Sequence, residues 1–286
     1  MRLNTSGNAN VAVGVVALGA NTTAVDNTAV GYNSLGANTT GDRNTALGKN
    51  ALASNVDGDR GVAVGYDALS SQDPSSNADM YNVGVGYNAG AAVTTGVNNT
   101  LIGGLAGDSI TTASYSVAVG QGAATNTTTS SQGFTAVGAD SLFTNTTGTD
   151  NVAVGRASMY SNTTGGNNVA VGRSALQANT TASNNTAVGY QSLLANTTGT
   201  ENSALGRYSL YTSTTGNYNT SVGTNALFAS TTSSFNTALG SNALFANTTA
   251  DNNTAVGKSA LAANTTGASN VAVGALALDA NTTASH

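Results

Sequence analysis

The chain of 286 residues carries only 7% charged and 5% aromatic residues, with 35 glycines, one proline and no cysteine. Its formal net charge of −5 leaves no basic surface to neutralise phosphates, which argues against a nucleic-acid partner. Without cysteine, disulfides and thiolate metal sites are excluded. No apolar run approaches the length of a membrane span, so we expect no membrane insertion. We also expect no cofactor.

After a partial repeat at residues 1–9, residues 10–286 form tandem repeats with a period of 17 residues. The units N-V-A-V-G, N-T-A-V-G and N-T-A-L-G recur, and their closing glycines are spaced by 17 residues with two exceptions. The spacing is 21 from Gly65 to Gly86 and 18 from Gly120 to Gly138. The consensus N-(T/V)-A-(V/L)-G-x-x-(A/S)-L-x-A-N-T-T-G-x-x defines repeat positions 1 to 17.

Each repeat predicts one turn of an all-β structure, a parallel β-solenoid of about sixteen coils. We expect a first strand at N-T-A-V, a bend with positive φ at the glycine of position 5, a second strand near A-L-x-A and an opposite bend at N-T-T-G. The aliphatic side chains at positions 4 and 9 are expected to point inward in every coil. A helical fold is disfavoured because Gly, Thr, Asn and Val form helices poorly.

These repeat units, followed by A-L and N-T-T-G, resemble the β-roll head repeats of trimeric autotransporter adhesins. They resemble more closely the repeats of phage tail fibres and bacterial tail-fibre domain proteins, which often precede an endosialidase-type intramolecular chaperone. The resemblance covers residues 10–286. It implies a left-handed parallel β-roll, a homotrimer, and an extracellular location on a virion tail fibre or a cell-surface appendage. End-to-end neighbours or further fibre domains are additional partners that it suggests.

An irregular zone at residues 61–133 contains both insertions and the only proline, and it replaces the leucine of position 9 by Gly90, Gly107 and Ala124. Residues 70–81 are expected to leave the solenoid wall, because the strand motifs on both sides are intact and a proline cannot donate to a ladder. Loops on a rigid scaffold often bind ligands. The candidate contacts in this loop are Asp73, Pro74, Asp79 and Tyr81.

Two columns of large side chains are candidate binding surfaces. Position 6 directly follows the bend glycine, so we expect it to be exposed and able to contact a cell-surface glycan; a solubilising ridge or an intersubunit contact is the alternative. Its candidate residues are Tyr32, Tyr66, Tyr87, Arg156, Arg173, Tyr190 and Arg207. Position 10 carries aromatic residues that would form an exposed stripe in a monomer, which predicts burial between subunits. These residues are Phe143, Tyr160, Tyr211, Phe228 and Phe245.

Other chemistries are disfavoured by the pattern. The only histidine is His286, and the acidic residues are scattered, six of the thirteen at the solvated bend of positions 16 and 17, so no catalytic pair is predicted. Asp57 and Asp59 form a single V-D-G-D turn, whereas calcium-binding β-rolls repeat an aspartate in every coil. The N-T-T sequons are interpreted as turns. Adjacent threonines would point to opposite faces, which argues against an ice-binding array.

We therefore expect a structural fibre segment that serves as a rigid shaft and in attachment, and not an enzyme. A glycan-binding adhesin head is the first alternative, and a self-stacking filament subunit is the second. A pure spacer should be uniform along its length, so the irregular zone favours some binding role.

Overall fold

The computed structural model describes residues 3–74, 76–128 and 133–285 and divides into two compact units, Met1–Thr147 and Gly148–His286. The first unit holds eight three-residue strands: β1 (Val11–Val13), β2 (Thr28–Val30), β3 (Thr45–Leu47), β4 (Val62–Val64), β5 (Val83–Val85), β6 (Thr100–Ile102), β7 (Val117–Val119) and β8 (Thr135–Val137). The second holds eight more: β9 (Val152–Val154), β10 (Val169–Val171), β11 (Thr186–Val188), β12 (Ser203–Leu205), β13 (Thr220–Val222), β14 (Thr237–Leu239), β15 (Thr254–Val256) and β16 (Val271–Val273). The described residues contain no helix.

Within each unit, consecutive strands are parallel neighbours in one-repeat register. Val169 pairs with Thr186, Ala170 with Ala187 and Val171 with Val188, which are the same repeat positions one coil later. The prediction of a parallel β-solenoid with one coil per 17 residues is therefore confirmed.

Each coil contains one strand, so the predicted second strand near A-L-x-A is wrong. The leucine of position 9 has a left-handed backbone, with φ of 52° at Leu176 and 51° at Leu193. This conformation belongs to turns and not to strands. The turn still stacks on the next coil, because the Leu176 N–H donates to the Ser192 carbonyl at 3.0 Å.

The prediction for position 9 is correct, and the prediction for position 4 is wrong. Leu176 and Leu193 are fully buried, whereas Leu205 and Leu239 at position 4 are 41% and 45% exposed. In β2 to β16 the buried residue is the central one, Ala at position 3 in most coils. Because side chains alternate along a strand, an inward position 3 forces positions 2 and 4 outward.

Asparagine side chains form two ladders in the interior. At position 1, Asn185 Oδ1 accepts the backbone N–H of Asn202 at 3.0 Å, and Asn185 Nδ2 donates to the Gly199 carbonyl at 2.9 Å. At position 12, Asn196 Nδ2 donates to the same carbonyl at 2.9 Å and to Asn179 Oδ1 at 3.0 Å. All these side chains are fully buried. The ladders satisfy backbone groups at the bends that no strand reaches.

The irregular zone repacks the interior. Leu101 occupies position 3, where most coils have alanine, and it fills the space left by two glycines at position 9. A Cβ on Gly90 would lie 2.6 Å from Leu101 Cδ1, and a Cβ on Gly107 would lie 2.9 Å from Leu101 Cδ2. Val93 and Ile110 replace the asparagine of position 12 and are fully buried. These exchanges of large and small side chains conserve the volume of the core.

The predicted loop of residues 70–81 is wrong over most of its length, because the chain stays in the wall at both of its ends. The Asp73 N–H donates to the Thr94 carbonyl at 2.9 Å, and Gln72 is fully buried with its amide on the same carbonyl. The chain rejoins the ladder at Ala78, whose carbonyl accepts the Asp59 N–H at 2.9 Å. Ser70 to Asp73 and Asp79 to Tyr81 therefore stay in the coil, and four residues, 74–77, remain between the two anchored ends.

Deletion of residues 74–77 should leave the solenoid folded, because it restores a 17-residue coil and keeps both anchored ends. We expect a thermal midpoint within about 5 °C of the parent, since Pro74 loses only its packing against Gly58. The control removes Asn38 to Gly41, four residues of a regular coil, and should unfold the first unit. Circular dichroism melts compare the two. Equal loss of structure in both variants would place residues 74–77 in the ladder.

Candidate binding surfaces

The outward side of the parallel sheet, here called the sheet face, consists of repeat positions 2 and 4. Every one of these positions in β1 to β16 holds Val, Thr, Leu, Ile or Ser. With neighbouring strands ~4.8 Å apart, the eight strands of one unit give an uncharged strip about 34 Å long and two side chains wide. Its aliphatic members include Leu47 and Ile102 in the first unit, which are 46% and 38% exposed. The sequence pattern placed positions 2 and 4 together but did not reveal that they face outward.

The column at position 6 is exposed, as predicted. In the first unit Lys49 Nζ lies 6.0 Å from the centroid of the Tyr32 ring and 5.3 Å from that of Tyr66. Tyr66 and Tyr87 stack at 5.5 Å with an interplanar angle of 15°. In the second unit the Arg173 guanidinium lies 5.9 Å from the Tyr190 ring, and Arg156 and Arg207 are exposed. Many ring faces are therefore occupied by neighbours along the column.

Four aromatic residues of the column at position 10 are partly buried within the chain, whereas Phe245 is 38% exposed. Tyr211, Phe228 and Phe245 stack in order with centroids 5.2 Å apart, while Phe143 and Tyr160 are also partly buried. Tyr208 at position 7 packs its edge against Tyr211 at 5.3 Å and joins this stack to Tyr190 at 5.5 Å. The link through Tyr208 was missed because the sequence reading treated each column alone. Burial of position 10 between subunits stays a prediction.

A further exposed column at position 17 was missed as a surface. Tyr218 and Phe235 stack at 5.0 Å with an interplanar angle of 6°, and they are 48% and 57% exposed. Position 17 comes two residues before each strand, so it borders the sheet face on the edge opposite to position 6. Its signal in the sequence is the run of large or charged residues that precede the asparagine of position 1.

The four loop candidates do not lie together on one exposed loop. Pro74 is buried against Gly58, and Asp73 is anchored in the wall. Asp79 forms an ion pair with Arg60, and Tyr81 is 52% exposed with the Arg60 guanidinium 5.6 Å from its ring. Asp79 and Tyr81 thus belong to the position 17 edge. Ser75 lies outside the described residues.

Asp42 and Asp59 in the first unit each accept a backbone N–H from the preceding coil. Asp59 Oδ1 accepts the Asp42 N–H at 2.7 Å and its other oxygen pairs with Arg43 at 3.0 Å, so the V-D-G-D turn uses Asp59 for the fold. Among the described residues, no group of three potential ligands could hold a metal ion.

Burial raises the pKa of Asp108. Because the folded state then holds its proton to higher pH than the unfolded chain, ionisation of Asp108 opposes folding as the pH rises.

The N-T-T sequons lie mostly in the interior. Asn179 and Asn196 are typical of position 12, fully buried with their amides hydrogen-bonded, so the folded chain offers no acceptor there. Asn126 falls at position 11, one residue earlier in its coil than the other sequons, and it is exposed. The interpretation of the sequons as turn and ladder residues agrees with this placement.

His286 lies outside the described residues. Across the described ranges there is no helix with the length and apolar character needed to cross a membrane.

Comparison with known proteins gives no assignment. No protein-family model matches the chain, and no curated protein matches it.

Proposed function

We propose that the chain is a structural segment of an extracellular fibre, a self-associating rigid shaft without catalytic activity that takes part in host or surface attachment. The observation that supports this most strongly is the uncharged sheet face. Soluble monomers rarely expose continuous apolar patches of more than a few hundred Å², and such patches usually mark an interaction surface. A homotrimer, in which three sheet faces turn toward a common axis, covers this surface on every copy.

The interior supports the shaft role. Each coil is held to the next by parallel strand pairing, by the leucine turn at position 9 and by the two asparagine ladders. Stability in such a stack is the sum of nearest-neighbour interfaces, which allows a long and stiff structure from a thin core. Covering the sheet face adds burial that one chain cannot provide.

Charging the sheet face should abolish self-association. The variant with Val188→Lys and Val222→Lys places two ammonium groups on the strip, two coils apart, and burying them against another copy is unfavourable. Light scattering should give the mass of a multimer for the parent and of a folded monomer for the variant.

The matched control is Thr198→Lys with Thr232→Lys. Both threonines are exposed at position 14, on the bend away from the strand, and they are also two coils apart. This control should keep the multimer. A parent protein that is a stable folded monomer at micromolar concentration would reject the proposal.

Glycan recognition is the second candidate, supported by the alternating Tyr32, Lys49 and Tyr66 on an exposed column. Amphipathic rings and cations suit hydroxyl-rich ligands. A glycan array probed with the parent and with Tyr66→Ala plus Tyr87→Ala tests it, because loss of a specific signal in the variant supports binding. No signal above background for the parent leaves the shaft role alone.

A further inference from the structure

We propose that the sheet face joins copies of this chain in parallel orientation and in coil-for-coil register, and that ion pairs between copies along its two rims set that register. The inference rests on the proposed self-association and adds the orientation and alignment of the copies. It comes from the placement of charge at the two edges of the sheet face.

One rim is basic. Every lysine and arginine of the second unit lies at position 6, two residues after a strand, and all four are exposed: Arg156, Arg173, Arg207 and Lys258. Among the described residues of the second unit, no other side chain is a lysine or an arginine. The rim therefore presents cations along one edge of an otherwise uncharged strip.

The opposite rim is acidic. Asp150 and Glu201 lie at position 17 and are exposed, and Asp251 lies at position 16 and is partly exposed. Asp279, the remaining acidic residue of the unit, is at position 10 and away from this rim. The unit thus has four acidic and four basic side chains, and seven of the eight flank the sheet face.

The charges match strand by strand. Asp150 and Arg156 bracket β9, Glu201 and Arg207 bracket β12, and Asp251 and Lys258 bracket β15. The two members of a pair are six or seven residues apart, at opposite ends of a three-residue strand, and no ion pair joins them within the described part of one copy. Arg173 is the exception, since Gly166 and Asn167 precede its strand.

The first unit repeats the arrangement once. Asp42 and Lys49 bracket β3 in the same way. Two cations of this unit stand at position 17 instead, but they are neutralised within the chain, Arg43 by Asp59 and Arg60 by Asp79. These are the two ion pairs among residues 3–74, 76–128 and 133–285.

Symmetry decides which orientation uses these charges. When copies are parallel around an axis along the stack, the position 6 rim of one copy meets the position 17 rim of the next at the same height. When two copies face each other antiparallel, position 6 meets position 6 and like charges oppose. In register, three pairs of the second unit form; a shift of one coil leaves at most one, and a shift of three coils leaves two. Exposed ion pairs are individually weak, so their role is to select register.

Cross-linking tests orientation directly, because the chain has no cysteine of its own. A chain with Glu201→Cys and Arg207→Cys, treated with a short thiol-reactive cross-linker, should be joined between copies until every subunit of the multimer is covalently linked. Two controls should react several-fold more slowly: Glu201→Cys alone, and Glu201→Cys with Lys258→Cys, whose sites lie three coils apart.

Charge exchange tests the rims. Asp150→Lys with Glu201→Lys places cations on both rims at β9 and β12, and Arg156→Glu with Arg207→Glu places anions on both rims at the same strands. Like charges then oppose at two of the three paired strands, so each variant should dissociate at low salt. The quadruple variant restores opposite rims and should recover the parent mass. Lysine is acceptable at position 17, where Arg43 and Arg60 already occupy φ of 58° and 60°. Arg173→Glu, whose strand has no acidic partner, should change nothing.

The outcomes separate the two proposals. If the parent is monomeric, the self-association of the proposed function fails. If it is a multimer in which Glu201→Cys alone links as fast as the pair, the copies are not parallel and this inference is overturned. If the multimer is unaffected by the rim variants and gives no rapid links at all, the inference is equally overturned while the fibre proposal stands.

Discussion

Gly189→Ala should destabilise the second unit by about 2–6 kcal/mol, enough to unfold it or to lower its thermal midpoint by ten degrees or more. Gly189 has a φ of 133°, a backbone region that residues with a Cβ rarely adopt. A Cβ there would also lie 2.6 Å from the carbonyl oxygen of Gly206 and 2.7 Å from its carbon. The obstacle is backbone fixed by parallel strand pairing, so no side-chain movement relieves it.

Gly104→Ala is the matched control. Gly104 lies at position 6, one residue after the bend glycine of position 5, and a Cβ on it would meet no heavy atom within 4 Å. Thermal melts followed by circular dichroism should show little change for this variant. Equal destabilisation of the two variants would mean that close approach between stacked glycines is not what requires glycine at position 5.

Asn185→Ala should cost about 2–5 kcal/mol, because it removes one rung of an interior ladder and leaves buried polar groups without partners. The Asn202 N–H loses its acceptor Oδ1, and the Gly199 carbonyl loses one of its two amide donors. No water reaches a side chain that is fully buried. Denaturant unfolding of the variant and the parent measures the difference.

Asn126→Ala removes the same side chain from an exposed site and should change the free energy of unfolding by less than about 0.5 kcal/mol. If Asn185→Ala were as mild as this control, the position 1 ladder would be incidental to stability. Three coils have Gly61, Ser116 and Phe134 at position 1 instead of asparagine. Single interruptions of the asparagine ladder are therefore compatible with folding when the neighbouring coils adapt.

The periodicity of the sequence was sufficient to predict the stacking of coils, the bend glycine and the inward leucine. It was insufficient for the direction of position 4. A period of two shows that Val169 and Val171 share a side of the strand, but both sides of this strand are apolar, so the pattern has no preferred interior. The deciding fact is three-dimensional: the coil is thin, and the side chain that faces the leucine turn from position 3 is small, alanine in most coils and serine at Ser221.

The leucine turn explains the second miss. Leucine at φ near 50° is uncommon, and sequence reasoning assigns such a residue to a strand or helix. The stacking of coils stabilises this conformation, because each leucine turn is hydrogen-bonded to the next coil. The bond from the Leu176 N–H to the Ser192 carbonyl is one example. The exposure of position 6 was predictable from its place after the bend. The joining of positions 6, 7 and 10 through Tyr208 depends on side-chain directions in turns, which spacing alone does not provide.

One-coil register also bears on how such a chain changes length over evolution. Because Ala170 meets Ala187 at the same position of the next coil, an in-frame gain or loss of one whole coil leaves the remaining pairings intact. The duplicated segment would bring its strand, its turn, its amide rung and, where present, both members of a rim pair. Unequal recombination between near-identical stretches of DNA therefore changes the number of coils, and with it the length of the solenoid, while the packing inside each coil stays the same.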